Sequence, residues 1–311
     1  MKIVHDAAYR IDIGPHVFPT AKYAGTRDWL LARGAAKPED FVSPKPASWE
    51  ELALAHEEGY LQKVRHGRMG LGEIARLEMP WSRQMVEGFR LMAGGTVLCA
   101  RLALAEPPSK TGTPRRLRAA AHLGGGFHHA YAGHGEGFCL FNDIALAARL
   151  LMASGEVARV AVVDTDVHHG NGTAAILGRD PAVFTCSLHQ QNNYPADKPP
   201  STLDIGLDDG AGDGEYLAAL ERSLAEVMSF DPGVLIYAAG ADPYEEDQLG
   251  GLRLTHDGLR RRDRMVFESA LEAEVPVAIT LAGGYARRLE DTIAIHGTTV
   301  EEARRLSWGR A

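Results

Sequence analysis

With 311 residues, 45% of them hydrophobic, the chain can bury a large core; we expect one domain over 1–311, although length alone would also allow two. A formal net charge of -8, from 41 acidic against 33 basic residues, excludes a global positive field for holding DNA or RNA. Cys99, Cys139 and Cys186 lack the spacing of a disulfide framework or a structural zinc site and fit a reducing compartment.

Met1 to Asp6 has no signal-peptide apolar run, and polar or charged residues interrupt every later apolar run before membrane-spanning length, so a cytoplasmic protein is expected. Lys2 to Val4 can open a strand. Tyr9 to Thr20 is irregular, and Ala21 to Arg33 has a helical pattern ended by Gly34. Ser48 with Glu51 forms a capping-box pattern, and Pro80-Trp81 is expected to start a helix reaching about Glu106. After a loop from Pro107 to Pro114, short apolar runs alternate with helical segments, which predicts an α/β fold with a parallel β-sheet flanked by helices. Expected strands are Ala119 to His122, Val160 to Val163, Val183 to Ser187, Val234 to Ala238 and Val277 to Leu281. Expected helices are Ile144 to Ser154, Glu215 to Met228 and His256 to Glu274, with Thr298 and Glu301 capping a last one. The basic clusters Arg115-Arg116-Leu117-Arg118 and Arg260-Arg261-Arg262 read as surface.

Unusual polar residues gather just after the expected strands, where open α/β sheets place their ligand sites. Val160 to Val163 runs into Asp164-Thr165-Asp166-Val167-His168-His169-Gly170-Asn171-Gly172. In extended geometry Asp164, Asp166 and His168 share a face, so Asp166 and His168 can grip a metal with Asp164 behind them. The other reading is a polar loop with capping aspartates. Asp242, beyond the expected Val234 to Ala238 strand and before Pro243, is the natural third ligand, although Asp-Pro is also a common turn starter. His128-His129 follows Gly124-Gly125-Gly126-Phe127, and a neutral imidazole there can accept a proton from water. Tyr285, after Gly283-Gly284, can donate to a developing oxyanion or serve as an aromatic plug.

Gly-Gly-Gly-Phe-His-His, Gly137-Phe138-Cys139, Asp-Thr-Asp-Val-His-His-Gly-Asn-Gly-Thr, Gly-Ala-Asp-Pro and Gly-Gly-Tyr resemble, in order, the signatures of histone deacetylases. The resemblance runs from about Leu123 to Tyr285, and His16 to Thr20 resembles the compact class IV and bacterial branch. It implies an arginase/deacetylase-like fold in which Asp166, His168 and Asp242 hold one divalent ion, zinc by default with iron(II) also accepted. It also implies that Tyr285 polarises the acyl carbonyl. His128 and His129 would be the catalytic pair, Asp164 supporting the first and Asn171 the second. Many class I relatives carry aspartate in place of Asn171, which leaves open which histidine moves the proton. Gly137 and Phe138 match the acyl-tunnel wall, Tyr194 is a candidate for the opposite wall, and Ser187 with Leu188 implies a structural potassium ion. Gly170 and Gly240 stand where arginases place further aspartates, which favours a single ion.

The expected reaction is removal of an acetyl or longer acyl group from acyl-lysine by metal-activated water. Two alternatives stay open: deacetylation of an acetylpolyamine or other small amine, and a binding module for acyl ligands. Glu245-Glu246-Asp247 can attract a polycation or be a solvated charge run.

Overall fold

A computed structural model describes residues 1–109 and 115–307; residues 110–114 of the expected Pro107 to Pro114 loop lie outside the described residues. Eight strands are found among them: β1 (Ile3–Val4), β2 (Phe41–Val42), β3 (Ala119–His122), β4 (Val160–Asp164), β5 (Val183–Gln190), β6 (Leu203–Leu207), β7 (Val234–Ala238) and β8 (Val277–Thr280). They form one sheet in the order β2-β1-β3-β8-β7-β4-β5-β6, with every neighbouring pair parallel. The α-helices are α1 (Ala21–Ala32), α2 (Trp49–Leu52), α3 (Glu58–His66), α4 (Leu71–Leu77), α5 (Arg83–Ala105), α6 (Asp143–Ala153), α7 (Asn171–Leu177), α8 (Asp213–Ser229), α9 (His256–Glu272) and α10 (Leu289–Ser307).

The central strands β4, β7 and β8 are mainly apolar because both sheet faces are covered. Val160 and Val162 enter one core and Ala161 and Val163 the other. Ile236 and Tyr237 divide in the same way. Helices α5 and α6 pack together on the first face, while α8, α9 and α10 form a layer on the second. Together these make a three-layer α/β/α arrangement.

Helix α5 buries Met85, Phe89, Met92, Thr96, Cys99 and Ala103, a spacing of three and four residues that makes one continuous apolar stripe. It starts later than the proline suggested. Ser82 Oγ accepts from Met85 N at 3.0 Å, whereas the Trp81 indole donates to Val64 O. By length and composition this helix is also apolar enough to cross a membrane, which corrects the expectation that no run reaches that length; here it is mostly buried against β3 and β8.

Four other expectations change. Helix α10 begins at Leu289, well before Thr298, its first turn including the bond from Asp291 N to Arg288 O, so the Thr298–Glu301 pattern lies inside a helix. Arg262 is not surface but fully buried: it donates to Gly240 O at 2.5 Å and to Asp263 Oδ1 at 2.8 and 2.9 Å. The capping box at Ser48 is present, with reciprocal bonds of 3.1 and 2.7 Å, but opens only the one-turn helix α2. Asn171 and Gly172, expected in a loop, start helix α7.

Candidate active site and metal centre

Strands β3, β8, β7 and β4 are contiguous at the middle of the sheet, so the loops leaving their C-terminal ends meet over its centre. These are the four loops that carry the unusual polar residues. Strand β4 ends at Asp164, yet the expected alternation persists into the bend that follows. Val167 packs in the second core and Thr165 Oγ1 donates to Ala238 O at 3.0 Å, leaving Asp164, Asp166 and His168 on the other side.

Asp166, His168 and Asp242 bring one ligand atom each to within 4.8 Å of one another, and all three are buried. His168 Nδ1 lies 2.9 Å from Asp166 Oδ1 and 3.5 Å from Asp242 Oδ2. Gly283 N donates to Asp166 Oδ2 at 2.8 Å and Val167 N to Asp242 Oδ1 at 2.8 Å, which fixes both carboxylates. Asp242 Oδ2, buried, carries no hydrogen bond. Burial and the Asp166 charge push the Asp242 carboxyl up to about 7. Burial alone would lower His168, but its bond to Asp166 and the nearby Asp242 carboxylate raise it to about 10. Two buried carboxylates with an orphaned oxygen and an imidazole drawn into its protonated form make a site that demands positive charge, and the donor set fits one divalent cation.

The two histidines behind the glycine-rich turn have different partners. His128 Nδ1 is 2.6 Å from Asp164 Oδ2; burial opposes its charge, but Asp164 and Asp166 outweigh burial and raise it to about 9. His129 Nδ1 is 2.7 Å from Asn171 Oδ1, and burial, with the neighbouring His128, holds it well below the ordinary imidazole range. The Nε2 atoms of the pair are 3.1 Å apart. Asp143 holds the turn beneath them, accepting from Gly126 N at 2.9 Å and Phe127 N at 2.7 Å.

A cavity of about 170 Å³ opens onto this centre, lined by His129, Gly137, Phe138, His168, Tyr194 and Tyr285, with Glu78, Asn193 and Leu249 completing it. Every tunnel residue expected from sequence therefore lies on one cavity. The Tyr194 ring meets His129 edge-on at 5.0 Å, and Phe138 faces Tyr285 at 6.0 Å. Burial, then Asp166 and Asp242, push the Tyr285 phenol well above its ordinary value, so it is a neutral donor. Ser187, expected at a cation site, hydrogen-bonds His189 Nδ1 at 3.1 Å and neighbours Asp164 across the β4–β5 ladder.

Several functional neighbours were not foreseen. Asp247 is neither a solvated charge nor free to attract a polycation: it is buried, accepting from Leu249 N and Gly250 N with one oxygen and from Tyr285 N at 2.7 Å with the other. Lys22 is fully buried, donates to Ala282 O at 2.7 Å and lies 5.6 Å from the Tyr285 ring centre; burial lowers its ammonium to about 8. A second group, His169, His189 and Asp204, also gathers ligand atoms, but His169 Nε2 is already bonded to Asp204 Oδ1 at 3.0 Å. A Cβ at Gly240 would stand 2.8 Å from Asp242 Oδ1, and one at Gly170 2.5 Å from Asp164 Oδ2, so neither position has room for a further carboxylate.

Residues 16–299 match the family model described as the histone deacetylase domain. Histone deacetylase 2 of Arabidopsis thaliana is 31% identical over 309 residues, covering 94% of this chain and 77% of that protein. Acetoin utilization protein AcuC of Bacillus subtilis is 32% identical over 264 residues, covering 77% of this chain and 65% of AcuC. An HDAC homolog solved in complex with SAHA superposes with a TM-score of 0.81 at 25% identity, covering all of this chain and 84% of that one. An HDAC homolog from Aquifex aeolicus gives 0.79 at 24% identity, a likeness of fold. Membership of that family supports a deacetylase or deacylase activity. The motifs, the central-strand loops that carry them and these matches agree, and the chain belongs to the histone deacetylase family.

Proposed function

We propose that the chain removes an acyl group, acetyl or longer, from N-ε-acyl-lysine by hydrolysing the amide. One observation carries this reading: the Asp166, His168 and Asp242 donor atoms meet at the cavity that Phe138, Tyr194 and Tyr285 wall. Aromatic faces suit the apolar stem of an acyl-lysine, and polar groups concentrated at the inner end suit its amide. The likeness to an HDAC homolog solved with SAHA supports a cavity that accepts a ligand.

Asp166, His168 and Asp242 would hold the ion; we assign zinc, with iron(II) the other ion this oxygen-rich set accepts. When bound, such an ion polarises a carbonyl and lowers the pKa of a bound water to about 7. Tyr285 donates to the substrate carbonyl oxygen as negative charge develops there, a contribution of about 2.7–4 kcal/mol. His129, uncharged beside Asn171, accepts the proton from water and returns it to the leaving amine. His128, kept protonated by Asp164, stabilises the negative charge next to it. Gly137 offers its carbonyl to the substrate N–H. We also propose one catalytic domain over 1–311, a potassium ion near Ser187 and Leu188, cytoplasmic residence, and no direct nucleic-acid partner, the last from the net charge of -8.

A second substrate reading, an acetylated polyamine, is favoured by Glu78, which lines the same cavity and suits a cationic amine. Zinc-loaded protein should release acyl groups from lysine peptides, with Asp166→Ala and Tyr285→Phe each lowering kcat/KM by at least about a hundredfold. Turnover of acetylpolyamines alone would move the substrate to small molecules. Bound metal without any turnover would favour an acyl-binding module.

A further inference from the structure

Asn171 is an amide where a carboxylate would orient His129 directly, and an amide can present either its oxygen or its nitrogen. Glu136 decides between them. Its Oε1 lies 2.7 Å from Asn171 Nδ2, and a carboxylate at this distance only accepts, so Asn171 must turn its N–H to Glu136 and its oxygen to His129 Nδ1, 2.7 Å away. His129 is thereby fixed with its proton on Nδ1 and its Nε2 lone pair facing His128.

Glu136 is itself held. Its side chain is 16% exposed, and its other oxygen lies 3.2 Å from His134 Nε2. Reciprocal backbone bonds with Cys139, of 3.1 and 2.8 Å, close the turn that also presents Gly137 and Phe138. Gly137 N and Phe138 N donate to Arg76 O and Leu77 O, which ties this turn to the end of α4.

We propose that Glu136 is a positioning residue that sets the tautomer of His129 through Asn171. The inference rests on the proposed role of His129. A glutamine at 136 keeps the size but can donate or accept, so the amide loses its fixed direction. An aspartate at 171 would orient His129 directly, but it would face the Glu136 carboxylate.

The test compares metal-loaded wild type, E136Q, N171D and E136Q/N171D by kinetics on an acetyl-lysine peptide, thermal melting and histidine 15N NMR, with H129Q assigning the signal. E136Q should lower kcat about tenfold with KM within about twofold, N171D should lose more, and the double variant should recover to within about threefold of wild type. The His129 signal should report a single Nδ1–H tautomer in wild type and a mixture in E136Q. An unchanged tautomer in E136Q, a kcat within about twofold of wild type, or a double variant no better than N171D would overturn the proposal. If the metal-loaded wild type does not turn the peptide over, the deacylase reading fails, while the NMR comparison still decides the role of Glu136.

Discussion

Gly283 shows how little room the donor set leaves. A Cβ there would collide with Asp242 Oδ2 and stand 2.5 Å from Asp166 Oδ2, although its backbone is not in the left-handed region that only glycine tolerates. Gly283→Ala should therefore act on the donor cluster and not through backbone strain. We expect zinc affinity to fall about 10- to 100-fold while the metal-free melting temperature stays close to wild type; undiminished zinc affinity in a competitive titration would contradict the crowding argument. At this scale the donors, the histidine pair and the tyrosine were legible because polar residues directly after an apolar strand are costly unless they are used. Arg262, Asp247 and Glu136 were not, since their neighbours Arg260-Arg261, Glu245-Glu246 and His134 make each look like part of a solvated polar stretch. For Arg262 the signal was periodicity: Leu259, Arg262, Asp263, Val266, Phe267 and Ala270 form one buried stripe of α9.

The central strands were read nearly residue for residue, because each is a short β-branched or alanine-rich run that both faces bury. The edge strand β6 was missed for the opposite reason: Leu203–Leu207 alternates half-buried and exposed positions, reaches a buried one only at Leu207, and includes Asp204 and Gly206. The start of α10 was misplaced because Thr298 and Glu301 imitate a capping box, while the next residues in the helix serve its packing. Thr299 Oγ1 donates to Asp263 Oδ2 at 2.6 Å. Glu302, 2% exposed, accepts from Arg260 at 2.6 Å, Arg264 at 2.9 Å and Arg305 at 3.0 Å. Glu302→Ala should loosen the docking of α10 on α9. Because the three arginines are 41–58% exposed and stay hydrated, the expected loss is only about 1 kcal/mol, read as a shift in the urea midpoint at unchanged kcat. A midpoint identical to wild type would mean that these pairs add nothing to the docking.

For the molecule as a whole, buried neutral histidines away from the donor set govern the acid limb of stability. His56 is locked uncharged: its Nε2 accepts from Asn142 N at 3.0 Å, so Nδ1 must donate to Tyr131 O, and burial lowers it to about 4. His122 lies between Thr96 Oγ1 and the Tyr9 hydroxyl, joining α5, β3 and the N-terminal segment, and burial lowers it to about 3. Both folded values lie below the unfolded one of about 6.5. Between these limits the unfolded chain binds protons that the folded chain refuses. The contribution is therefore complete above about pH 6.5 and lost as pH falls towards 4, at about 1.4 kcal/mol per pH unit for each histidine. Groups of the metal centre titrate nearby in metal-free protein, so the measurement is a difference. Wild type and His122→Gln are unfolded in urea from pH 7 to 5, and the variant should show a shallower dependence by one proton. Parallel curves would mean that His122 takes up its proton without unfolding the joint between helix and sheet, and that other groups set the acid limit of the fold.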